Sequence, residues 1–270
     1  MYTQAFALAG FPFEADIATE QMFEARCMAE SQARLAHLVE LRGIGLVTGE
    51  VGAGKTAACR RFLSGLPRGL YSTVYLTVGA ASPLEACNSL AAELGLAATQ
   101  SRGAARRAIQ AELSRRAGNR QTPVVVVDEA HLLSNPVLEE LRLMTNFAID
   151  SEQRFCLLLV GLTPLRQRLA MAVNESLAQR LVVRHHVDGL ATDEVEAYIR
   201  HRLHLAGAPD VPLFEANAVT AIAQAAHGLP RRVNQIAHNA LAAAAADRAR
   251  TVTIDHVALA SEELGLRTMP

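Results

Sequence analysis

The sequence predicts an α/β protein: a parallel five-stranded sheet flanked by helices, followed by an all-helical tail. Three observations carry this. Between residues 43 and 188, short Val/Leu runs such as Val124-Val125-Val126-Val127 alternate with helical patterns. Strands buried on both faces read as unbroken apolar runs, and parallel neighbours need a crossover segment between them. After Gly189 no strand-like run remains until the brief stretch Thr251 to Ile254. Finally, a 270-residue chain that is 50% hydrophobic and 20% charged has the balance and length of a globular protein, enough for one large domain or two small ones.

Taken in order, the first forty residues hold an aromatic cluster, Phe6, Phe11, Pro12 and Phe13, and then a helical pattern over Thr19 to Leu41. The strand Ile44 to Thr48 follows, then a helix over Lys55 to Leu66 and the strand Ser72 to Val78. A helix over Pro83 to Leu94 has a Ser-Pro entry and stops at Gly95, both signals of the expected kinds. Next come a helix over Ala104 to Ala117, the strand Pro123 to Val127 and a helix over Pro136 to Asn146. The strand Phe155 to Val160, a helix over Leu165 to Ala172 and the strand Leu181 to Val187 complete the alternating part. Four helices form the tail: Asp193 to Ala206, Glu215 to His227, Pro230 to Arg250 and Asp255 to Leu264. The expected organisation is an aromatic and helical segment over 1–42, a core over 43–188 and a helical lid over 189–270.

Lys plus Arg number 26 against 27 Asp plus Glu, for a net charge of −1. This excludes a protein whose whole surface binds polyanions, though not one with a local basic stripe. Arginine fills 25 of the 26 basic positions, which leaves one lysine, Lys55. Cys27, Cys59, Cys87 and Cys156 stand far apart with no C-x-x-C pair, so neither zinc nor a disulfide framework is indicated. No signal-peptide pattern opens the chain, and no apolar run reaches the roughly 18–20 residues of a membrane span, so a reduced cytoplasm is the expected compartment.

That one lysine lies in Gly49-Glu50-Val51-Gly52-Ala53-Gly54-Lys55-Thr56, which fits the phosphate-loop pattern G-x-x-x-x-G-K-[ST] between a buried strand and an amphipathic helix. The glycines let backbone N–H groups close around a β-phosphate, and the helix N-terminus adds its positive end. Lys55 is expected to reach the β- and γ-phosphates, and the Thr56 hydroxyl to bind Mg²⁺. The strand Val124 to Val127 ends in Asp128-Glu129, at the sheet edge where ligands of open α/β sheets sit. Asp128 is expected to hold the Mg²⁺ shell and Glu129 to polarise the attacking water.

Later residues leave alternatives open. Arg180, in Gln179-Arg180 before the last strand, is either a finger toward a neighbouring subunit's γ-phosphate or a surface arginine paired to an acidic helix. Arg231, in Gly228-Leu229-Pro230-Arg231-Arg232, either closes over the nucleotide or is an exposed basic helix start. Asn146 and Thr163 are candidates to orient the lytic water, and His185 and His186 read as strand-end residues rather than ligands. Arg102, Arg106, Arg107, Arg115, Arg116 and Arg120 face only Glu112 nearby in sequence, as a stripe along nucleic acid or as a solvated helix face.

Together the phosphate loop, Val-Val-Val-Val-Asp-Glu-Ala-His, Gln179-Arg180 and Gly-Leu-Pro-Arg-Arg-Val-Asn resemble the AAA+ ATPases of the ExeA/GspA type over nearly the whole chain. The resemblance implies a P-loop AAA+ core with a helical lid, ATP and Mg²⁺ as ligands, and hydrolysis to ADP and phosphate. It makes Lys55 and Thr56 part of Walker A, Asp128 and Glu129 Walker B, Arg180 the arginine finger and Arg231 the second sensor, and it places Phe13 near an adenine pocket. The chain departs from the pattern at the first sensor, where Val160-Gly161-Leu162-Thr163 lacks an Asn. Within this resemblance, secretion-type members add a membrane helix and a peptidoglycan-binding domain. Short members look like transposition helpers related to TniB, TnsC, MuB and IstB. The expectation is the second branch: an ATPase that oligomerises as a ring or filament on double-stranded DNA without sequence preference and recruits a transposase, with no membrane role. The alternative is a secretion-pathway assembly ATPase without DNA.

Overall fold

In a computed structural model of the chain, the structure describes residues 2–14, 17–77, 82–147, 152–209 and 211–266. Among these the helices are α1 (Tyr2–Ala5), α2 (Arg26–Leu41), α3 (Lys55–Gly65), α4 (Pro83–Glu93), α5 (Arg102–Gly118), α6 (Asn135–Met144), α7 (Thr163–Leu169), α8 (Glu175–Ala178), α9 (Val195–Leu205), α10 (Ala216–Ala226), α11 (Pro230–Ala246) and α12 (Ile254–Glu263). The strands are β1 (Ile44–Gly49), β2 (Tyr71–Thr77), β3 (Thr122–Asp128), β4 (Cys156–Gly161) and β5 (Leu181–Val187). The chain divides into two compact units, residues 30–50 with 55–187, and residues 1–29 with 51–54 and 188–270.

The larger unit is built on one parallel sheet in the order β2-β3-β4-β1-β5. Its three inner strands are buried almost residue for residue, while β2 and β5 at the edges alternate buried with exposed positions. This is why Val124–Val127 and Leu157–Val160 are uninterrupted apolar runs: both faces of an inner parallel strand are covered by helices. On one face Leu46, Val125, Val127, Leu157 and Leu159 share a core with Leu90 of α4, Ile109 of α5, Leu138 of α6 and Leu165 of α7. Each such leucine, fully withdrawn from water, contributes about 1.5–3 kcal/mol.

Helix entries follow local chemistry. Ser82 caps α4 by accepting the Glu85 N–H at 3.2 Å, with Pro83 in the first turn, and Gly95 ends the helix region at φ 79°. Ser101 caps α5 in the same way through Ala104. Helix α7 begins at Thr163, two residues ahead of the expected start, because Pro164 fits the first turn of a helix. The expected strand to Val78 runs from Tyr71 to Thr77, and Val78 itself lies outside the described residues.

In the smaller unit, helices α9 to α12 bury Val195, Ile199, Ile222, Ile236, Leu241 and Val257 against one another. The alanines of α11 are part of that packing: Ala237, Ala240 and Ala244 are fully buried. The expected strand Thr251 to Ile254 is a single parallel bridge between Phe214 and Val252. The expected helix over Thr19 to Leu41 is a short 3-10 turn at Thr19–Gln21 and then α2 from Arg26. The opening residues also depart from the 1–42 segment read from sequence. Tyr2, Phe6, Leu8 and Phe13 lie in the core of the smaller unit, whereas residues 30–42 group with the sheet. The buried guanidinium of Arg202 on α9 binds this opening stretch, donating to the Pro12 carbonyl at 2.7 Å and to that of Glu14.

Candidate functional site

The sheet order brings the carboxyl ends of β1, β4 and β3 side by side, with β4 in the middle. Chain ends of parallel strands are where residues from separate parts of the sequence meet without further folding, so Gly49-Glu50, Thr163 and Asp128-Glu129 gather at one edge. Lys55 opens α3 and is 7% exposed; its ammonium donates to the Gly49 carbonyl at 3.0 Å and the Glu50 carbonyl at 2.8 Å. These loop carbonyls hold the charge at the mouth of a glycine-rich turn. A bulkier guanidinium has no such compact fit.

Thr56 donates to Asp128 Oδ2 at 3.0 Å, across 72 residues of sequence. Asp128 is buried at 4% exposure, and its other oxygen accepts the Glu129 N–H at 2.8 Å. A hydroxyl and a carboxylate with adjacent oxygens fit Mg²⁺, a hard cation that takes one or two protein oxygens and fills its remaining positions with water and phosphate. Among the described residues no group of three or more His, Cys, Asp or Glu is placed to hold a metal by itself. Glu129 sits at φ 52°, a left-handed conformation that turns its side chain out of the strand line. The side chain is 45% exposed, with His131 Nδ1 3.3 Å from Oε2.

Tyr75, on β2, donates a short hydrogen bond to the same Asp128 oxygen that Thr56 uses. Burial first, and then the Asp128 carboxylate, push its phenol far above the usual tyrosine range, so it stays a donor. Neither Tyr75 nor His131 was legible as a site residue. Tyr75 becomes a neighbour of Asp128 only through the β2–β3 register, which pairs Tyr75 with Val126 and Thr77 with Asp128. For His131 the signal was adjacency alone: it follows Asp128-Glu129-Ala130. Thr163, the weaker of the two water-orienting candidates, stands at the tip of β4 and donates to Glu50 Oε1 at 2.7 Å.

The other candidates lie elsewhere. Arg180 precedes β5 at the end that pairs with Ile44, the start of β1. A six-residue strand spans about 20 Å, so Arg180 is at the far edge of the sheet from Gly49. There it donates to the Thr145 hydroxyl at 3.1 Å and to the Asn146 side chain, which engages the second water-orienting candidate. Burial and the nearby Arg142 guanidinium lower its pKa. Val51, Gly52, Ala53 and Gly54 group with the smaller unit. In that unit the Arg231 N–H donates to the Gly52 carbonyl at 3.4 Å, and a Cβ on Gly52 would stand 2.7 Å from that of Arg231. With φ at +81°, Gly52 is a glycine for both reasons. Phe13 packs edge-on against Phe214, 6.5 Å between centroids, as a buried core residue.

The basic helix α5 is more neutral than its sequence suggests. Arg115 and Arg116 both bind Glu112 at 2.7 Å, and Arg102 and Arg106 reach the buried Glu140 of α6 at 3.5 and 3.3 Å. Glu112 is therefore not the only acidic partner of the stripe. His185 and His186 bond Ser31 and Thr48 at 2.9 and 3.1 Å.

The five-stranded parallel sheet with the glycine-rich loop after β1 is a P-loop fold of the AAA+ kind, and residues 38–169 match the family model described as AAA domain. The sequence is similar to a protein of the ExeA/GspA type. The general secretion pathway protein A of Aeromonas hydrophila is 33% identical over 275 residues, an alignment covering 99% of this chain and 49% of the relative. The chain thus spans about half the length of the curated relative it matches. Among solved structures, Cdc6p of Pyrobaculum aerophilum superposes with a TM-score of 0.74 at 15% identity, covering 96% of this chain and 72% of that one. Drosophila ORC bound to DNA gives 0.70 at 19% identity, covering 98% and 66%. Among the described residues no helix is long and apolar enough to cross a membrane.

Proposed function

We propose that this protein binds and hydrolyses ATP at the edge formed by β1, β4 and β3, as an assembly ATPase of the general secretion pathway type. The carrying observation is the convergence of Lys55, Thr56, Asp128 and Glu129, in a chain aligned over 99% of its length with a general secretion pathway protein A. The backbone of Gly49 to Gly54 cradles the phosphates, and Lys55 exchanges its two loop carbonyls for phosphate oxygens. Mg²⁺, held by Thr56 and Asp128, supplies positive charge to the phosphate oxygens when bound. Glu129 accepts a proton from a water whose oxygen attacks the γ-phosphorus. The bond from the γ-phosphorus to the bridging oxygen breaks, and its electron pair leaves with ADP. Arg180 lies too far from its own loop to take part, so its role is toward a second copy of the chain. Arg231, against Gly52, is the lid-side candidate for sensing.

Glu129→Gln tests the hydrolysis. Nucleotide affinity should hold within about twofold while phosphate release falls by at least 10²-fold, the usual scale for a lost proton acceptor. A variant that turns over at the wild-type rate refutes the role.

One observation favours a second reading, in which the protein oligomerises on duplex DNA and recruits a transposase: Drosophila ORC, of the same fold, is bound to DNA. The pairing of four α5 arginines with Glu112 and Glu140 weighs against that helix as the DNA contact. Retention of duplex DNA in a gel at low and high salt separates the two. The secretion-type reading expects no retention with any nucleotide. Retention that requires ATP, weakens steeply with salt and disappears in Lys55→Ala would overturn it in favour of transposition.

A further inference from the structure

A carboxylate in a phosphate-binding loop needs a reason. Glu50 follows Gly49 directly in the loop, where its charge opposes the phosphates that the loop encloses. The structure holds that carboxylate against Thr163, whose hydroxyl donates to Oε1 at 2.7 Å across 113 residues of sequence. Thr163 stands at the tip of β4, between the β1 edge that carries the loop and the β3 edge that carries Glu129.

We propose that Glu50 is a positioning residue for Thr163, fixing its hydroxyl as an acceptor for the attacking water; this rests on the hydrolytic reading above. A threonine hydroxyl has one proton and two lone pairs. With the proton committed to Glu50, Thr163 has only lone pairs to offer. It accepts a hydrogen bond from water and cannot donate to a γ-phosphate oxygen. A water that gives one hydrogen to Thr163 and the other to Glu129 directs its lone pair at the γ-phosphorus. Glu50 thereby serves the departure noted at Thr163, where an Asn amide would orient water without help.

The test uses the full chain as wild type and as Glu50→Ala, Thr163→Val, the double variant, Glu50→Gln and Thr163→Ser. It measures kcat and KM for phosphate release, together with affinities for a non-hydrolysable ATP analogue and for ADP. Glu50→Ala and Thr163→Val should each lower kcat on the order of tenfold, the scale of a small misplacement of a reacting group. The double variant should be no slower than Thr163→Val, because both changes remove the same oriented acceptor. Glu50→Gln and Thr163→Ser, which keep acceptor and hydroxyl, should stay within about twofold of wild type. In Glu50→Ala the released hydroxyl can donate to a γ-oxygen, so preference for the ATP analogue over ADP should rise about threefold. That rise should vanish when Thr163 is Val. Losses in kcat that multiply in the double variant, or an unchanged preference in Glu50→Ala, would overturn the pairing. A wild-type protein that releases no phosphate overturns the hydrolytic reading instead, and the preference ratio still decides the pair.

Discussion

Lys55 is the one ammonium among 26 basic residues, and the structure buries it against two carbonyls of the loop that precedes it. Arginine fills the other basic positions, where a long, solvated cation suffices; a glycine-lined turn suits a compact charge that can pass from carbonyls to phosphates. Glu112 shows the opposite case, a carboxylate whose value lies in the two guanidinium groups around it. Hydrogen bonds from Arg115 and then Arg116 hold its pKa down to about 2. In the unfolded chain a glutamate takes up its proton near 4.3. The folded pKa is the lower one, so the stabilisation is fully present above pH about 4–5 and is lost as pH falls toward 2. Thermal unfolding followed from pH 6 to pH 2 should show Glu112→Gln with a shallower acid loss than wild type, and parallel profiles would refute this.

At the scale of elements, inner and edge strands behave differently, and this sets what was legible. The runs at Val124–Val127 and Leu157–Val160 announced inner strands because no face of them meets water. The loop between β1 and α3, and the acidic pair ending β3, stand out in the sequence because the G-x-x-x-x-G-K-[ST] pattern and an Asp-Glu strand end are fixed residue types at fixed local spacing. Edge strand β2 revealed nothing of its role. Tyr75 looks like an ordinary strand aromatic until the β2–β3 register sets it beside Asp128. Helix α5 looked like a basic stripe because its balancing acid, Glu140, belongs to α6. Ion pairs between elements leave no periodic trace in a sequence. The helical pattern from Thr19 was broken for a similar reason, since Phe23 and Ala25 serve the smaller unit's core and the helix waits until Arg26.

For the molecule as a whole, Arg180 carries the assembly question. It sits at the amino edge of the sheet, about one strand length from its own phosphate loop, so any contact with a γ-phosphate is made on another copy. A head-to-tail interface of this kind makes each site from two chains. Glu129→Gln and Arg180→Ala should then each be inactive alone and active when mixed. A site between an Arg180→Ala chain and a Glu129→Gln neighbour has an intact Glu129 from the first and an intact Arg180 from the second. Random equal mixing should restore about a quarter of wild-type phosphate release. A mixture as inactive as its components would place Arg180 outside the reaction.

Residues close in sequence were enough to identify the phosphate loop, the inner strands, the acidic strand end and the four-helix tail, because backbone conformation and hydrophobic period act over a few positions. The partners of those residues were another matter. That Tyr75 shares Asp128 with Thr56, that Glu50 holds Thr163, that Asn146 holds Arg180 and that Phe13 lies in a core all depend on strand order and helix packing. These bring together groups separated by 34 to 201 residues along the chain, from Asn146 and Arg180 to Phe13 and Phe214, and no local preference encodes a neighbour at that distance.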